Sequence, residues 1–170
     1  LNEVQARYFL PRKPVEELYD TEADPHQIHN LASDPAHART VEQLRRECAE
    51  WMRRTGDLGL LPEYEFHRRA EGKTPYDVAR DARRNPVSRL QKADGQANQM
   101  DPELVDDLIR LLRDEDPAIR YWGAVGLVAL GSQATPAREA LLRARADPSP
   151  NVRVAAAEAL AAIGCLDVAL

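Results

Sequence analysis

Aromatic residues are scarce: Phe, Trp and Tyr together make up 5% of the 170 residues. Ala, Arg and Leu dominate instead, a palette that suits helices rather than sheets. Cysteine is nearly absent. Cys48 and Cys165 lie far apart with no second thiol or histidine at ligand spacing, so neither a disulfide framework nor a zinc site can be read from them. No apolar run approaches the ~20 residues that span a bilayer, and no basic-then-apolar signal segment stands at the front, so a membrane partner is not expected. Positive charge is not in excess either. With 23 Lys and Arg against 28 Asp and Glu, the net charge is -5, and no global basic field argues for nucleic acid or anionic lipid. Ser33, Ser88, Ser132 and Ser149 lack a nucleophile-elbow context, and no Gly-rich phosphate loop occurs. The chain opens on Leu rather than Met, so its natural beginning is expected upstream.

The hydrophobic share, 44%, is that of a folded protein, and the expected class is mostly α. Two segments differ in habit. Over residues 1–98 helical stretches are interrupted by Asp-Pro, Lys-Pro, Leu-Pro, Thr-Pro and Asn-Pro, each biasing the preceding residue away from helix. That half should hold short helices, turns and at most one or two short strands, of which "EELYD" at 16–20 is the one candidate. Its longest periodic segment, about 35–55, places Val41, Leu44, Cys48, Trp51 and Met52 on one helical face, and Gly56 ends it.

Residues 99–170 repeat themselves with an offset of 33 residues. Leu108 matches Leu141, Asp114 matches Asp147, Pro117 matches Pro150, and Arg120 matches Arg153. Ala124 with Ala157, Leu127 with Leu160 and Gly131 with Gly164 follow without a gap. A period in this range marks a helical-repeat array, each unit a helix, a tight turn and a second helix stacked on its neighbours. Pro starts each second helix, where its missing N–H costs little, small residues allow close approach, and Gly closes the helix. An Asp and an Arg six residues later recur in both units, which predicts an Asp-to-Arg ladder between turns.

The stretches "DPAIRYWGAVGLVALG" and "DPSPNVRVAAAEALAAIG" resemble the second helix of a HEAT repeat of the short bacterial type. An α-solenoid of about two HEAT-type repeats follows from the resemblance. Two units are few for a continuous core, so a cap is required, and the helix expected at about 86–97, with Leu90, Ala93 and Ala97 on one side, fits as a degenerate half-repeat.

Near the front, His26 and His29 stand three residues apart among Asp20, Asp24, Asn30 and Asp34. Two imidazoles and a carboxylate would suit zinc or iron. The two Asp-Pro pairs and the Asn before an apolar residue instead describe turns and helix caps, and the sequence fixes neither a third ligand nor a partner to orient the imidazole rings. No catalytic and no metal-ligating residue is assigned.

The run "KPVEELYDTEADPHQIHNLASDP" resembles the C-terminal signature of type I sulfatases of the alkaline-phosphatase-like superfamily, a pattern close to E-L-Y-D-L-x-x-D-P-x-E-x-x-N-L-A. Glu17, Leu18, Tyr19, Asp20, Asp24, Pro25, Asn30, Leu31 and Ala32 match, whereas Thr21 and Gln27 depart from the usual Leu and Glu. "EWMRRTGDLGLLPE" at 50–63 and "TPYDVARD" at 74–81 resemble the tails of a bacterial subgroup that continues into HEAT-type repeats. The resemblance implies that "ELYD" is the last strand of a small C-terminal sheet packed on a catalytic domain, with Leu18, Tyr19, Ile28 and Leu31 on its buried side. It also implies sulfate-ester hydrolysis by a formylglycine made from Cys or Ser in C/S-x-P-x-R, beside a divalent cation, calcium by expectation. Neither Cys48 in "RECAEWM" nor Cys165 in "GCLDVAL" fits that motif. The catalytic set and its cation are therefore expected upstream, in an N-terminal domain of the same chain that is this segment's partner. This segment itself would be inactive and need no cofactor. A periplasmic or secreted compartment would suit such a parent, but the sequence leaves the compartment open. The alternative is a free-standing HEAT-type module for protein–protein interaction.

Two surfaces are candidates for docking. Between 67 and 92 the charge is mainly Arg68, Arg69, Lys73, Arg80, Arg83, Arg84, Arg89 and Lys92 against Glu71, Asp77 and Asp81. Arg80, Arg83 and Arg84 head this face, for an acidic partner, a sulfated or acidic glycan or, less favoured, nucleic acid, against a solvated or intramolecular docking surface, which is favoured. Tyr121 and Trp122 stand where the second unit has Val154 and Ala155, as anchors for a partner on the repeat face or as packing against the preceding segment, with packing favoured.

Overall fold

A computed structural model of the chain describes residues 2–10 and 12–165. Contacts divide it into two units, Leu1–Trp51 and Met52–Leu170. The helix that ends at residue 98 packs on the repeats of the second unit.

The first unit is mostly turns. Helix α1 (Glu3–Tyr8) is closed by a capping box, Asn2 Oδ1 accepting from Gln5 N at 2.8 Å while Gln5 Oε1 accepts from Asn2 N at 3.0 Å. The "EELYD" run carries no regular secondary structure, and among the described residues no strand forms. The reason is the identity of its neighbour. Leu18 N donates to Asn30 Oδ1 at 2.9 Å and Asn30 Nδ2 donates to Glu16 O at 3.1 Å, while the Leu18 carbonyl accepts from Leu31 N at 2.8 Å and the Asp20 carbonyl from Asp24 N at 2.7 Å. One side-chain amide, carrying both a donor and an acceptor, does the work of a paired strand. Downstream, Asp20 Oδ1 accepts from Glu22 N and Ala23 N, and Asp34 Oδ1 caps the 3₁₀ turn Pro35–His37 through Ala36 N at 2.9 Å. Helix α2 (Ala38–Thr55) follows, its last turn from Met52 onward belonging to the second unit, and Arg45 grips Glu16 in a bidentate pair at 2.5 Å.

The second unit comprises α3 (Glu63–Arg69), α4 (Pro75–Arg80), α5 (Val87–Asn98), α6 (Val105–Leu111), α7 (Pro117–Leu130), α8 (Arg138–Ala144) and α9 (Pro150–Ala162). The sequence period of 33 reappears in the element bounds: α6 and α8 begin at Val105 and Arg138, α7 and α9 at Pro117 and Pro150. Each second helix packs on the next, α5 on α7 and α7 on α9, while α6 and α8 cover α7 and α9. This is an α-solenoid, and α5 caps it with Leu90, Ala93 and Ala97 buried. The main core stacks Leu108, Leu127, Leu141 and Leu160, all at most 1% exposed. A Cβ on Gly126 would lie 2.6 Å from Leu108 Cδ2 and 3.0 Å from the Ala97 backbone, so this glycine sets how closely α7 approaches its neighbours. Gly56, with φ +69°, ends α2 where a Cβ would meet Ala79 O at 2.1 Å.

Turns are tied to one another by the ladder. Arg120 holds Asp147 of the following unit through two bonds, 2.7 and 2.8 Å, and donates to its own turn's Asp114 and Glu115 carbonyls at 2.9 and 3.1 Å. Arg89 takes the corresponding place one step earlier, reaching Asp114 at 2.8 Å. Burial acts to raise the Asp147 carboxyl, but the Arg120 guanidinium and the Ser149 N–H outweigh it and hold the group below the ordinary carboxylate range.

Candidate functional site

Helix α3 is short, and its one inward face carries charge. Glu65 is 1% exposed and Arg69 6% exposed, an i,i+4 pair that reaches the helix starts of both repeats. Arg69 Nη2 pairs with Asp116, the N-cap of α7, while Glu65 Oε1 accepts from Ser149 Oγ, at the N-cap of α9, at 2.8 Å. Asp116 and Ser149 are equivalent positions, 33 residues apart, so α3 reads the same place in two successive repeats. Ser149 makes no side-chain cap of its own helix; its hydroxyl is diverted to Glu65. Reversing α3 would set Glu65 against Asp116, a like-charge contact, so the pattern fixes the direction of the helix as well as its place. Arg69 and Arg84 each donate to the other's backbone carbonyl, at 2.6 and 2.7 Å. In the sequence Glu65 had no assigned role, Arg69 counted only toward the basic segment and Ser149 was set aside as a nucleophile; the i,i+4 spacing of Glu65 and Arg69 was the available signal.

The arginine-rich segment is partly neutralised by this arrangement. Arg68 bonds Glu65, Arg84 lies 3.4 Å from Asp81, and Arg89 spans Asp114 and Glu115. Arg83 and Arg84 line a concavity that also holds Glu115 and Asp116. Arg80 turns elsewhere: its guanidinium stacks on the Tyr76 ring, 4.6 Å from the centroid, at an open groove of about 1050 Å³ between the end of α2, α4 and the start of α5. Arg53, Arg54 and Arg89 line the same groove, and no acidic residue does.

The two aromatics part company. Trp122 packs in a second core of Leu61, Val78, Leu90, Ala93, Ala118 and Ile119, and its Nε1 donates to Leu60 O at 2.9 Å. Tyr121 meets its ring edge to face and lines a shallow groove of about 300 Å³ with Tyr64, Val125 and Val154.

The histidine cluster holds nothing together. His26 and His29 are exposed, and Asp24 Oδ2 is spent on the N–H groups of Ile28 and His29 at 2.7 and 2.6 Å. Those backbone donors, His29 first, keep the Asp24 carboxyl below its ordinary range despite some desolvation. Among the described residues no three His, Cys, Asp or Glu side chains converge as a metal site.

A family model described as HEAT repeats matches residues 78–161, taking in the cap helix α5 as well as both repeats. Curated relatives match over shorter stretches. An "Ulvan-active sulfatase" of Formosa agariphila is 42% identical over 66 residues, covering 39% of this chain and 11% of that protein. A second protein of that name from the same organism is 40% identical over 58 residues, 30% of this chain and 12% of the relative. The human "N-sulphoglucosamine sulphohydrolase" is 49% identical over 41 residues, 24% of this chain and 8% of its own length. The chain joins a sulfatase-related region to HEAT repeats. It spans about a tenth of the length of the sulfatases it matches. No solved structure matches.

The HEAT repeats account for the charge pattern of the second unit. Their ladder consumes Arg89, Arg120, Asp114 and Asp147, and their helix starts supply the two anchor points for α3. Outside the ladder stand Arg53, Arg54 and Arg80, which line the groove around Tyr76 that the ladder's Arg89 also borders.

Proposed function

We propose that this chain is the non-catalytic C-terminal portion of a sulfatase-like hydrolase, in which its front segment completes the catalytic domain and the HEAT repeats form an appended module. The observation that carries the reading is the state of the first unit's apolar side chains. Among its described residues none is buried, although α2 is an 18-residue helix with a well-defined apolar stripe. On that stripe Leu44 and Trp51 are each 51% exposed and Cys48 is exposed, and Tyr8, Phe9 and Val15 are more exposed still. Burying such a stripe is what stabilises an amphipathic helix in water. A catalytic domain preceding this segment is a cover of the required kind, and the relatives' much greater length leaves room for one. The cation and the formylglycine of that chemistry would belong to the preceding domain, and this chain would supply no group to the reaction.

Turnover of an aryl sulfate tests the assignment. The 170-residue chain alone is expected to give no hydrolysis above buffer, while a longer polypeptide carrying the preceding domain turns the ester over. Equal turnover by the chain alone would overturn the reading.

A further inference from the structure

We infer that the groove bounded by the end of α2, α4 and the start of α5 binds a sulfated oligosaccharide. The choice of sulfate rests on the proposed function; the anionic character of the ligand rests on the groove alone. Arg53, Arg54, Arg80 and Arg89 line it and no acidic residue does, in a chain whose net charge is -5, although Arg89 is itself paired with Asp114 and Glu115 from outside the lining. Such a local field opposes the global one, so polyanion binding would not arise from overall charge. Arg53 and Arg89 are held in place by Gln91 and by Asp114 with Glu115, whereas Arg54 and Arg80 point their charge into an exposed setting. Guanidinium forks match the oxygens of a sulfate ester through paired charge-assisted hydrogen bonds.

Shape favours a sugar chain over other anions. The groove is open and about 1050 Å³ in volume, which suits a chain lying across it rather than one enclosed small molecule. Tyr76, 66% exposed with Arg80 stacked on it, offers a single aromatic surface beside a cation, and Ser88 adds a hydroxyl that can meet a sugar hydroxyl. A single-stranded nucleic acid would call for successive aromatic platforms, and only one aromatic lines the groove.

The test is titration of the whole chain with dextran sulfate oligosaccharides, with neutral dextran, poly-glutamate and an oligonucleotide as comparison probes. The expected result is saturable binding of the sulfated sugar that weakens with salt and is at least about tenfold tighter than for the other three. Arg54→Glu with Arg80→Glu should abolish it. Arg83→Glu, which makes the same change of charge outside the groove, should leave it within about twofold. No binding of the sulfated sugar, equal binding of poly-glutamate or the oligonucleotide, or equal loss on Arg83→Glu would each overturn the inference. Circular dichroism of the variants separates lost binding from lost folding. None of these outcomes depends on hydrolysis, so failure here leaves the assignment of the chain to a sulfatase-like parent standing, and failure of that assignment would remove only the preference for sulfate.

Discussion

Replacing Arg69 by methionine is expected to destabilise the second unit by about 3–5 kcal/mol, the usual cost of removing one partner from a buried charge pair. Methionine keeps most of the apolar stem, so the loss isolates the guanidinium. Three groups depend on it. Asp116, 10% exposed at its side chain, would keep its cap on Ala118 N at 2.9 Å but lose its counter-charge, the Arg84 carbonyl would lose its 2.6 Å donor, and Glu65 would retain only Arg68 and Ser149. Adding Asp116→Asn, which preserves the cap and removes the stranded charge, should recover part of the loss, so the pair of substitutions will be clearly less than additive. Chemical denaturation followed by circular dichroism, with the midpoint moving at unchanged slope, reads both effects. Additive losses would mean that α3 is held by something other than this clasp.

Trp122→Ala should cost about 3 kcal/mol, near the lower end of large aromatic truncations because the ring is only half buried. Two losses combine. The second core around Leu61, Val78 and Leu90 loses the ring packed against it, and Leu60 O loses its indole donor. Trp122→Phe would retain most of the packing and lose the hydrogen bond, for about 1 kcal/mol. Tyr121→Ala, at the edge of an open groove, should cost clearly less than Trp122→Ala. Thermal and chemical unfolding of the three variants gives the order directly, and an alanine at 122 that unfolds no earlier than one at 121 would contradict the role given to the indole.

The repeats were legible because their information is local and periodic. An offset of 33 residues, a proline at each second-helix start and a run of small apolar residues are enough to place α6 to α9, and Leu90, Ala93 and Ala97 on one side of α5 are enough to expect the cap. The "EELYD" run was not legible in the same way. Its local pattern is that of a strand, yet a strand is defined by its partner, and within the described residues the partner is the side chain of Asn30. The arginines between 67 and 92 illustrate a similar limit. Composition shows a basic segment, but the acids that neutralise Arg69 and Arg89 lie 47 and 25 residues away, brought close only by the stacking of helices. Glu65 went unremarked for the same reason, its contact with Ser149 spanning 84 residues. The ladder combined both cases: the six-residue spacing of Asp114 and Arg120 was visible, whereas the guanidinium's reach to Asp147 of the next unit needed the fold.

Cys48 offers the most direct measurement of the central claim, that the apolar stripe of α2 is covered by a catalytic domain. It lies exposed on that stripe between Leu44 and Trp51. Alkylation at peptide resolution, which distinguishes it from Cys165, should label it readily in the 170-residue chain and at least about tenfold more slowly in a longer polypeptide carrying the preceding domain, because labelling would then require local opening. Equal rates in the two would show that nothing upstream covers α2 and would contradict the account.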